Sequence, residues 1–313
     1  MLTSQMVKEY AKSVGADLVG IADMNRWEGA PQHADARYIC PDARTMIVMG
    51  FRIPRGTLRG IEEGTFYSAY SSMGYAAINH VLQPMVCWRV TAMLEDEGYE
   101  AMPIPNNFPW CNMVTGTGEL RPDWSKPVSP DKPAPDVFVH MRIAAFMAGL
   151  GEIGWSKLFI SPQFGPRQRL AAILTDAPLE PDPLYEGPQL CDRCMLCARD
   201  CTGNAISTSE SVKVVVAGRE LEWGRLDYDG CCRAFCGSDE DHNPFMVSLE
   251  DREGFQAPME KAHSYKLWPT YDYGRALEGA RGCIRACMIH LEQQGKLGNK
   301  FDRPFRRRAE WRL

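Results

Sequence analysis

The feature that most constrains this chain is Cys191-x2-Cys194-x2-Cys197-x3-Cys201. Three thiolates on so tight a loop can take three corners of an iron–sulfur cubane, and the fourth cysteine must then point elsewhere. Zinc is the rival metal, but a zinc ribbon normally uses two C-x2-C pairs separated by a longer loop. The spacing therefore favours a [4Fe–4S] cluster. It also calls for a second group of ligands, because a cysteine turned away from its own cluster serves another.

Such a group lies downstream. Cys231, Cys232, Cys236, Cys283 and Cys287 offer five thiols for four places. By symmetry with the first motif, the closing Cys283-x3-Cys287 pair divides between the two sites. The first cluster is then predicted on Cys191, Cys194, Cys197 and Cys287. The second is predicted on Cys201, Cys236, Cys283 and one of the adjacent pair, where Cys232 is preferred and Cys231 is the spare. Two-cluster ferredoxins usually have proline after the last cysteine of each motif, but here Thr202 and Met288 stand there. The second motif is also stretched by 46 residues between Cys236 and Cys283. The other three cysteines, Cys40, Cys87 and Cys111, are scattered and read as ordinary buried thiols.

The 313 residues leave room for about two domains, and 45% apolar with 24% charged residues is a globular composition. A net charge of −5 argues against a general nucleic-acid binder, which needs surplus cations. No apolar run is long enough for a membrane span. The first twenty residues show neither a signal-peptide stretch nor a twin-arginine pair, so the expected compartment is the cytoplasm. There, cysteines serve metals more often than disulfides.

Periodicity predicts helices over 3–14, 76–98 and 137–147, and strands over 17–22, 45–52, 100–104, 156–160 and 169–174. This mixture indicates an α+β fold. The stretch TDAPLEPDPLYEGPQL reads as a linker, with a boundary near 181–189 between a body (1–180) and a cysteine-rich module (181–313). Gly149, Gly151 and Gly154 satisfy G-x-G-x-x-G, yet a dinucleotide site needs a strand before them and a helix after. Here they close an apolar helical run, so they read as a tight turn or as a close approach to another planar cofactor. His140 reads as a buried, hydrogen-bonded histidine within a helix, and His290 as a neighbour of the cluster ligands.

AGLGEIGWSKLFISPQFGPRQRLAAILTDAPL (148–179), followed by CDRCMLCARDC, resembles the core of the cobalamin-dependent reductive dehalogenases and of epoxyqueuosine reductase. GADLVGIAD, the strand over 45–52 and GYEAMPIP extend the likeness loosely into the first half. The resemblance implies a nitroreductase-like body holding base-off cobalamin, with a C-terminal ferredoxin-like module carrying two [4Fe–4S] clusters. Electrons would pass from a low-potential donor, of ferredoxin or flavodoxin type, through both clusters to cobalt and then to a small organic substrate.

The same resemblance suggests roles for particular residues. Gly149, Gly151 and Gly154 suit contact with the corrin. Arg167 and Arg169 can bind the phosphate of the nucleotide tail, or form a structural pair. Asp136, twelve residues before Ala148, stands near the acid of the epoxyqueuosine reductases, with a helix N-cap as its plain alternative. Tyr67, Tyr70 and Tyr75 are candidate proton donors because the dehalogenases use a tyrosine beside a basic residue; core tyrosines are the plain alternative.

Two other readings stay open: an epoxyqueuosine-reductase-like enzyme acting on transfer RNA, and a two-cluster electron carrier or corrinoid-reactivating protein. Neither a twin-arginine leader nor a helical-repeat extension is seen. The tail 296–313 has seven Lys/Arg against two acids, so contact with nucleic acid or with an acidic electron donor stays open beside a solvated tail.

Overall fold

The computed structural model describes residues 2–104, 126–135, 137–236, 282–307 and 309. The strands in chain order are β1 (Leu18–Asp23), β2 (Thr45–Arg52), β3 (Ala101–Ile104), β4 (Glu152–Ile153), β5 (Phe159–Ile160), β6 (Gln168–Thr175), β7 (Ile206–Val216) and β8 (Arg219–Leu226). The α-helices are α1 (Ser4–Ser13), α2 (Arg59–Glu62), α3 (Gln83–Asp96), α4 (Met141–Met147), α5 (Leu196–Arg199), α6 (Tyr228–Cys236) and α7 (Cys283–Gln293). None of the described helices is long and apolar enough to cross a membrane.

The centre is a sheet in the order β1-β2-β6-β3, with every neighbouring pair antiparallel. Its inner strands are apolar almost without alternation, because both faces are covered. Successive side chains of a strand point to opposite faces. Ile47, Met49 and Phe51 of β2, with Ala171 and Ile173 of β6, therefore join one core, with α1, α3 and α7. Met46 and Val48, with Leu170, Ala172 and Leu174, join the other, with α4 and with Leu221 and Trp223 of β8.

Local chemistry explains three departures from the expected elements. The helix expected over 76–98 begins with π-helical turns at Tyr70–Ala76 and Ile78–Leu82, and becomes α-helical only at Gln83. Pro84 has no N–H to give to a carbonyl four residues back, so the α pattern cannot run continuously across it. The helix expected from 137 starts at Met141, capped by His140, whose Nδ1 accepts from the Ile143 N–H. The strand expected over 156–160 shrinks to β5 because Lys157, at φ 61, turns the chain back. Gly154 and Leu158 close that turn with an N–H···O bond of 2.9 Å.

The stretch read as a linker has no helix or strand, yet it is pinned to the body. Asp182 exchanges bonds with Ile21 of β1 through its carboxylate (2.8 Å) and its own N–H (2.9 Å). The tail is likewise anchored, through buried Leu297 and Phe305, although residues 300–304 and Arg307 are exposed. Phe305 is 2% exposed, and Arg55 lies 3.5 Å from the centre of the Phe301 ring. Buried Glu62 receives Arg285 of α7 and, at 2.7 Å, Arg306. Removing one partner from such a buried group leaves uncompensated charge and typically costs about 3–5 kcal/mol. We expect Glu62→Ala to lower the stability read from urea unfolding by about 3 kcal/mol. A loss below about 0.5 kcal/mol, ordinary for a surface site, would contradict this role.

Candidate metal centre and active site

The loop from Cys191 to Cys197 is wound tightly, with two non-glycine residues, Arg193 and Met195, both at φ 57. Such backbone is sparsely populated outside glycine and is held where its surroundings enforce it. Here it turns Cys191, Cys194 and Cys197 toward one enclosed space, which Cys287 of α7 also lines. Trp155, Ile160, Leu190 and Leu291 give the same space an apolar wall, and exposed Asp192, Arg193 and Cys194 line its solvent side. Cys191 Sγ accepts the Trp155 N–H at 3.3 Å. Burial pushes the Cys197 thiol up to about 11, with Cys191 and Cys194 adding to the shift. Cys287 is raised further, first by burial and then by Cys191, Cys197 and Cys194. Four thiols line one space, with Cys197 buried and Cys194 exposed, and this soft donor set fits an iron–sulfur cluster.

A second group forms beside the first. Burial raises the Cys283 thiol, and Cys231 and Cys201 raise it further. Cys201 Sγ accepts the Ala205 N–H at 3.4 Å. Cys232 and Cys236 sit on α6, but their side chains lie outside the described residues. Of the adjacent pair, Cys231 is the one whose side chain is described, and it is exposed. Asp136 and Cys111 also fall outside the described residues. Cys40 and Cys87 are buried in the body, and burial pushes Cys87 up to about 12, as expected of inert thiols.

Among the candidate proton donors, the structure draws Tyr70 and Tyr75 to Arg169. Tyr70 opens the first π-helical turn, a geometry frequent at functional sites. Gly74 makes room for its ring, since a Cβ there would stand 2.8 Å from Tyr70 Cδ2. Arg169 Nη2 donates to the Tyr70 hydroxyl at 2.8 Å, and the guanidinium lies 3.9 Å from the centre of the Tyr75 ring. Tyr75 in turn packs on Phe235 of α6 at 5.3 Å. Burial lifts the Tyr70 phenol to about 12, with Arg169 pulling the other way and Cys283 adding to the rise. Tyr67 packs against the same core.

The residues expected to hold cofactor are placed differently. Arg167, 1% exposed, donates to the Ile53 carbonyl (2.6 Å) and to Asn299 Oδ1 (2.9 Å), so it is a structural residue tying the tail to the sheet. Arg169 serves the tyrosines instead of a phosphate, because β6 turns it toward the π-helical turn. Gly149, at φ +72, ends α4 in a Schellman arrangement: its N–H bonds Phe146 O and the Leu150 N–H bonds Ala145 O. A Cβ on Gly149 would strike the Pro183 carbonyl, and one on Gly151 the Ile160 carbonyl. A Cβ on Gly154 would crowd Ile160. The close approaches these glycines allow are to the chain itself, which accounts for them without a cofactor.

Sequence reasoning missed four residues here. Lys157 donates to Tyr228 Oη at 2.7 Å and lies 5.0 Å from the Trp223 ring centre. Arg142, the one charge in the apolar run HMRIAAFM, is partly open and feels Cys283, Cys231 and Tyr228. That isolated charge was the available signal; nothing local marked Lys157 or Tyr228. Asp192 bonds both His290 (2.8 Å) and Gln294 (2.7 Å), which fixes the ligand loop to α7. Partial burial opposes its ionisation, but those bonds outweigh it and hold the carboxyl well below the usual range.

His140 is neutral in this fold. Burial, then Lys157 and Arg142, lower its pKa to about 3. The unfolded chain, with a histidine pKa of about 6.5, takes up a proton that the folded one refuses. Stability should therefore fall by about 1.4 kcal/mol per pH unit below about pH 6.5, levelling near the folded value. Urea midpoints for the wild type and His140→Asn, measured from pH 7 to 4.5, should converge on acidification if the variant is the less stable at pH 7. Parallel curves would contradict the assignment.

No family model matches the sequence. It is 37% identical over 93 residues to the tetrachloroethene reductive dehalogenase of Sulfurospirillum multivorans, a match covering 28% of this chain and 18% of that one. Its fold resembles that of the catabolic reductive dehalogenase NpRdhA, solved with 3-bromo-4-hydroxybenzoic acid, at a TM-score of 0.51 and 21% identity, over 94% of this chain and 37% of that one. Epoxyqueuosine reductase from Streptococcus thermophilus aligns over 95% of this chain and 68% of its own, with 16% identity and a TM-score of 0.47. The match thus spans less than a fifth of the curated relative's length. Over the matched stretch the sequence is similar to tetrachloroethene reductive dehalogenases, and the fold resembles that of a catabolic reductive dehalogenase.

Proposed function

We propose that the chain is an oxidoreductase that passes electrons through two [4Fe–4S] clusters to cobalamin and reduces a small organic substrate. The observation that carries this reading is the meeting of two groups: Tyr70, which pairs with Arg169, shares a core with Cys283, and Cys283 also packs in one cluster with Cys191 and Cys201. A bare electron carrier needs no such pair. A related reductive dehalogenase structure is described as suggesting a mechanism for B12-dependent dehalogenation. Residues 1–180 form the nitroreductase-like body in this reading, and 181–313 the ferredoxin-like module.

The first cluster is assigned to Cys191, Cys194, Cys197 and Cys287. The second is assigned to Cys201, Cys236 and Cys283 with one of the adjacent pair, Cys232 by preference or Cys231. Arg169 Nε is buried without a hydrogen-bond partner, an acceptor that a bound group such as a corrin amide arm would supply. When bound, the clusters carry electrons and cobalamin supplies a strongly reducing metal centre.

The chain's own part is to hold and deliver a proton. Because Tyr70 Oη accepts from Arg169, its own O–H is left to donate. Burial keeps the phenol protonated at neutral pH, and the guanidinium stabilises the phenolate once the proton has left. Arg169, clamped by Tyr75, fixes that geometry.

Halide release tests the reading: the reconstituted protein, with cobalamin and a low-potential reductant, should dehalogenate an aryl or vinyl halide. Cobalamin-bound protein that releases no halide from either class, and reduces no epoxyqueuosine in transfer RNA, would sink it.

A further inference from the structure

The backbone that enters the first ligand loop is gripped from both sides by charged side chains. Leu190, 3% exposed, belongs to neither a helix nor a strand, so its backbone polar groups must find partners elsewhere. Glu152, the first residue of β4, supplies the acceptor: its Oε1 takes the N–H groups of Leu190 (3.1 Å) and of Cys191. Lys296, beyond α7, supplies the donor: its Nζ gives to the carbonyls of Gln189 (3.0 Å) and Leu190 (3.5 Å). The same two peptide groups, 189–190 and 190–191, are thus held at their oxygen ends by a cation and at their N–H ends by a carboxylate. Neutral amide side chains could fill both hydrogen-bonding roles, yet both are filled by ions. Charge-assisted bonds are roughly twice as strong as neutral ones, and they also leave fixed charge beside a ligand.

We propose that Glu152 is a positioning residue that keeps the reduction potential of the first cluster low, with Lys296 as its weaker counter-charge. The proposal rests on the assignment of that cluster to Cys191, Cys194, Cys197 and Cys287, which line one space. Two effects of Glu152 act in the same direction. Its carboxylate sets negative charge on the backbone of a ligand, which disfavours the added electron of the reduced cluster. It also engages two N–H groups that would otherwise be free to donate to sulfur, and hydrogen bonds to sulfur are among the levers that set cluster potential. Cys191 Sγ takes the Trp155 N–H instead. Lys296 acts oppositely, but its shorter bond is to the peptide farther from the ligand, while Glu152 bonds the ligand's own N–H. The first cluster takes one electron from the low-potential donor and gives it to the next centre; no bond forms or breaks. A lower potential makes that outgoing transfer more favourable.

Redox titration of the reconstituted protein, followed by the electron-paramagnetic signals of the reduced clusters, tests this in wild type, Glu152→Gln and Lys296→Met. The signal that Cys287→Ser removes identifies the first cluster. Glu152→Gln keeps an acceptor for the two N–H groups and removes the charge, so it should shift that signal to higher potential. Lys296→Met keeps an unbranched stem without the charge, and should shift the signal to lower potential. A clamp with only a structural role would shift both variants in the same direction, or neither, and either result at full iron content overturns the proposal. If Glu152→Gln loses the cluster, Lys296→Met decides: a downward shift supports the charge role, and an unchanged or higher potential overturns it. Iron content that Cys287→Ser leaves untouched shows instead that the cluster assignment is wrong, and the proposal falls with it.

Discussion

Phenylalanine in place of Tyr70 should lower turnover about 100-fold or more while leaving iron content and cobalamin binding intact. A positioned proton donor typically contributes about 10²–10⁴-fold. The substitution removes only the hydroxyl, and the ring that fills the space beside Gly74 stays. It also leaves Arg169 without the acceptor that now lies at 2.8 Å, so a stability loss of about 1 kcal/mol should accompany the catalytic one. The two effects separate cleanly. A core tyrosine with a satisfied hydroxyl would give the stability loss alone, with turnover unchanged, and that outcome would remove Tyr70 from the mechanism.

The second large effect concerns the cysteines. Cys287→Ser should reduce iron from about eight to about four per chain, with the second cluster's signal retained. Cys287 stands on α7, nearly one hundred residues from the motif, yet it lines the space of Cys191, Cys194 and Cys197 and feels all three. Serine keeps the volume and loses the soft thiolate that iron prefers. Cys283→Ser should do the converse and spare the first cluster. Loss of the same cluster in both variants would show that the symmetric division of the Cys283–Cys287 pair is wrong.

What the sequence made legible follows from how local each signal is. β2 was expected at 45–52 and is observed at Thr45–Arg52, because a run of buried apolar residues between turn signals can satisfy its backbone only in a sheet. The grouping of Cys191, Cys194 and Cys197 on one space was legible for a related reason: spacing on one tight loop is a local property. The tyrosine site was half legible. FYSAYSSMGY drew attention, but its partner Arg169 is 99 residues from Tyr70 in sequence, and only the fold of β6 brings them together.

Arg167 shows the limit of that approach. Two residues from Arg169 in a strand, it shares the same basic motif, yet it is turned into the core to bind Ile53 and Asn299. The glycines misled in a similar way. Their spacing suggested a cofactor, while their conformations answer to a helix end and to two neighbouring carbonyls. The tail misled through its charge, since a net basic stretch was compatible with a solvated arm, and Glu62 instead draws Arg306 into the body.

The central claim is that these elements serve a cobalt cofactor beside the second cluster. The most direct measurement is the electron-paramagnetic spectrum of cobalamin, in its paramagnetic cobalt state, added to the anaerobically reconstituted protein. A base-off signal that titrates to one corrinoid per chain is the predicted result. Protein that carries both clusters and leaves the cobalamin base-on and unbound would contradict it.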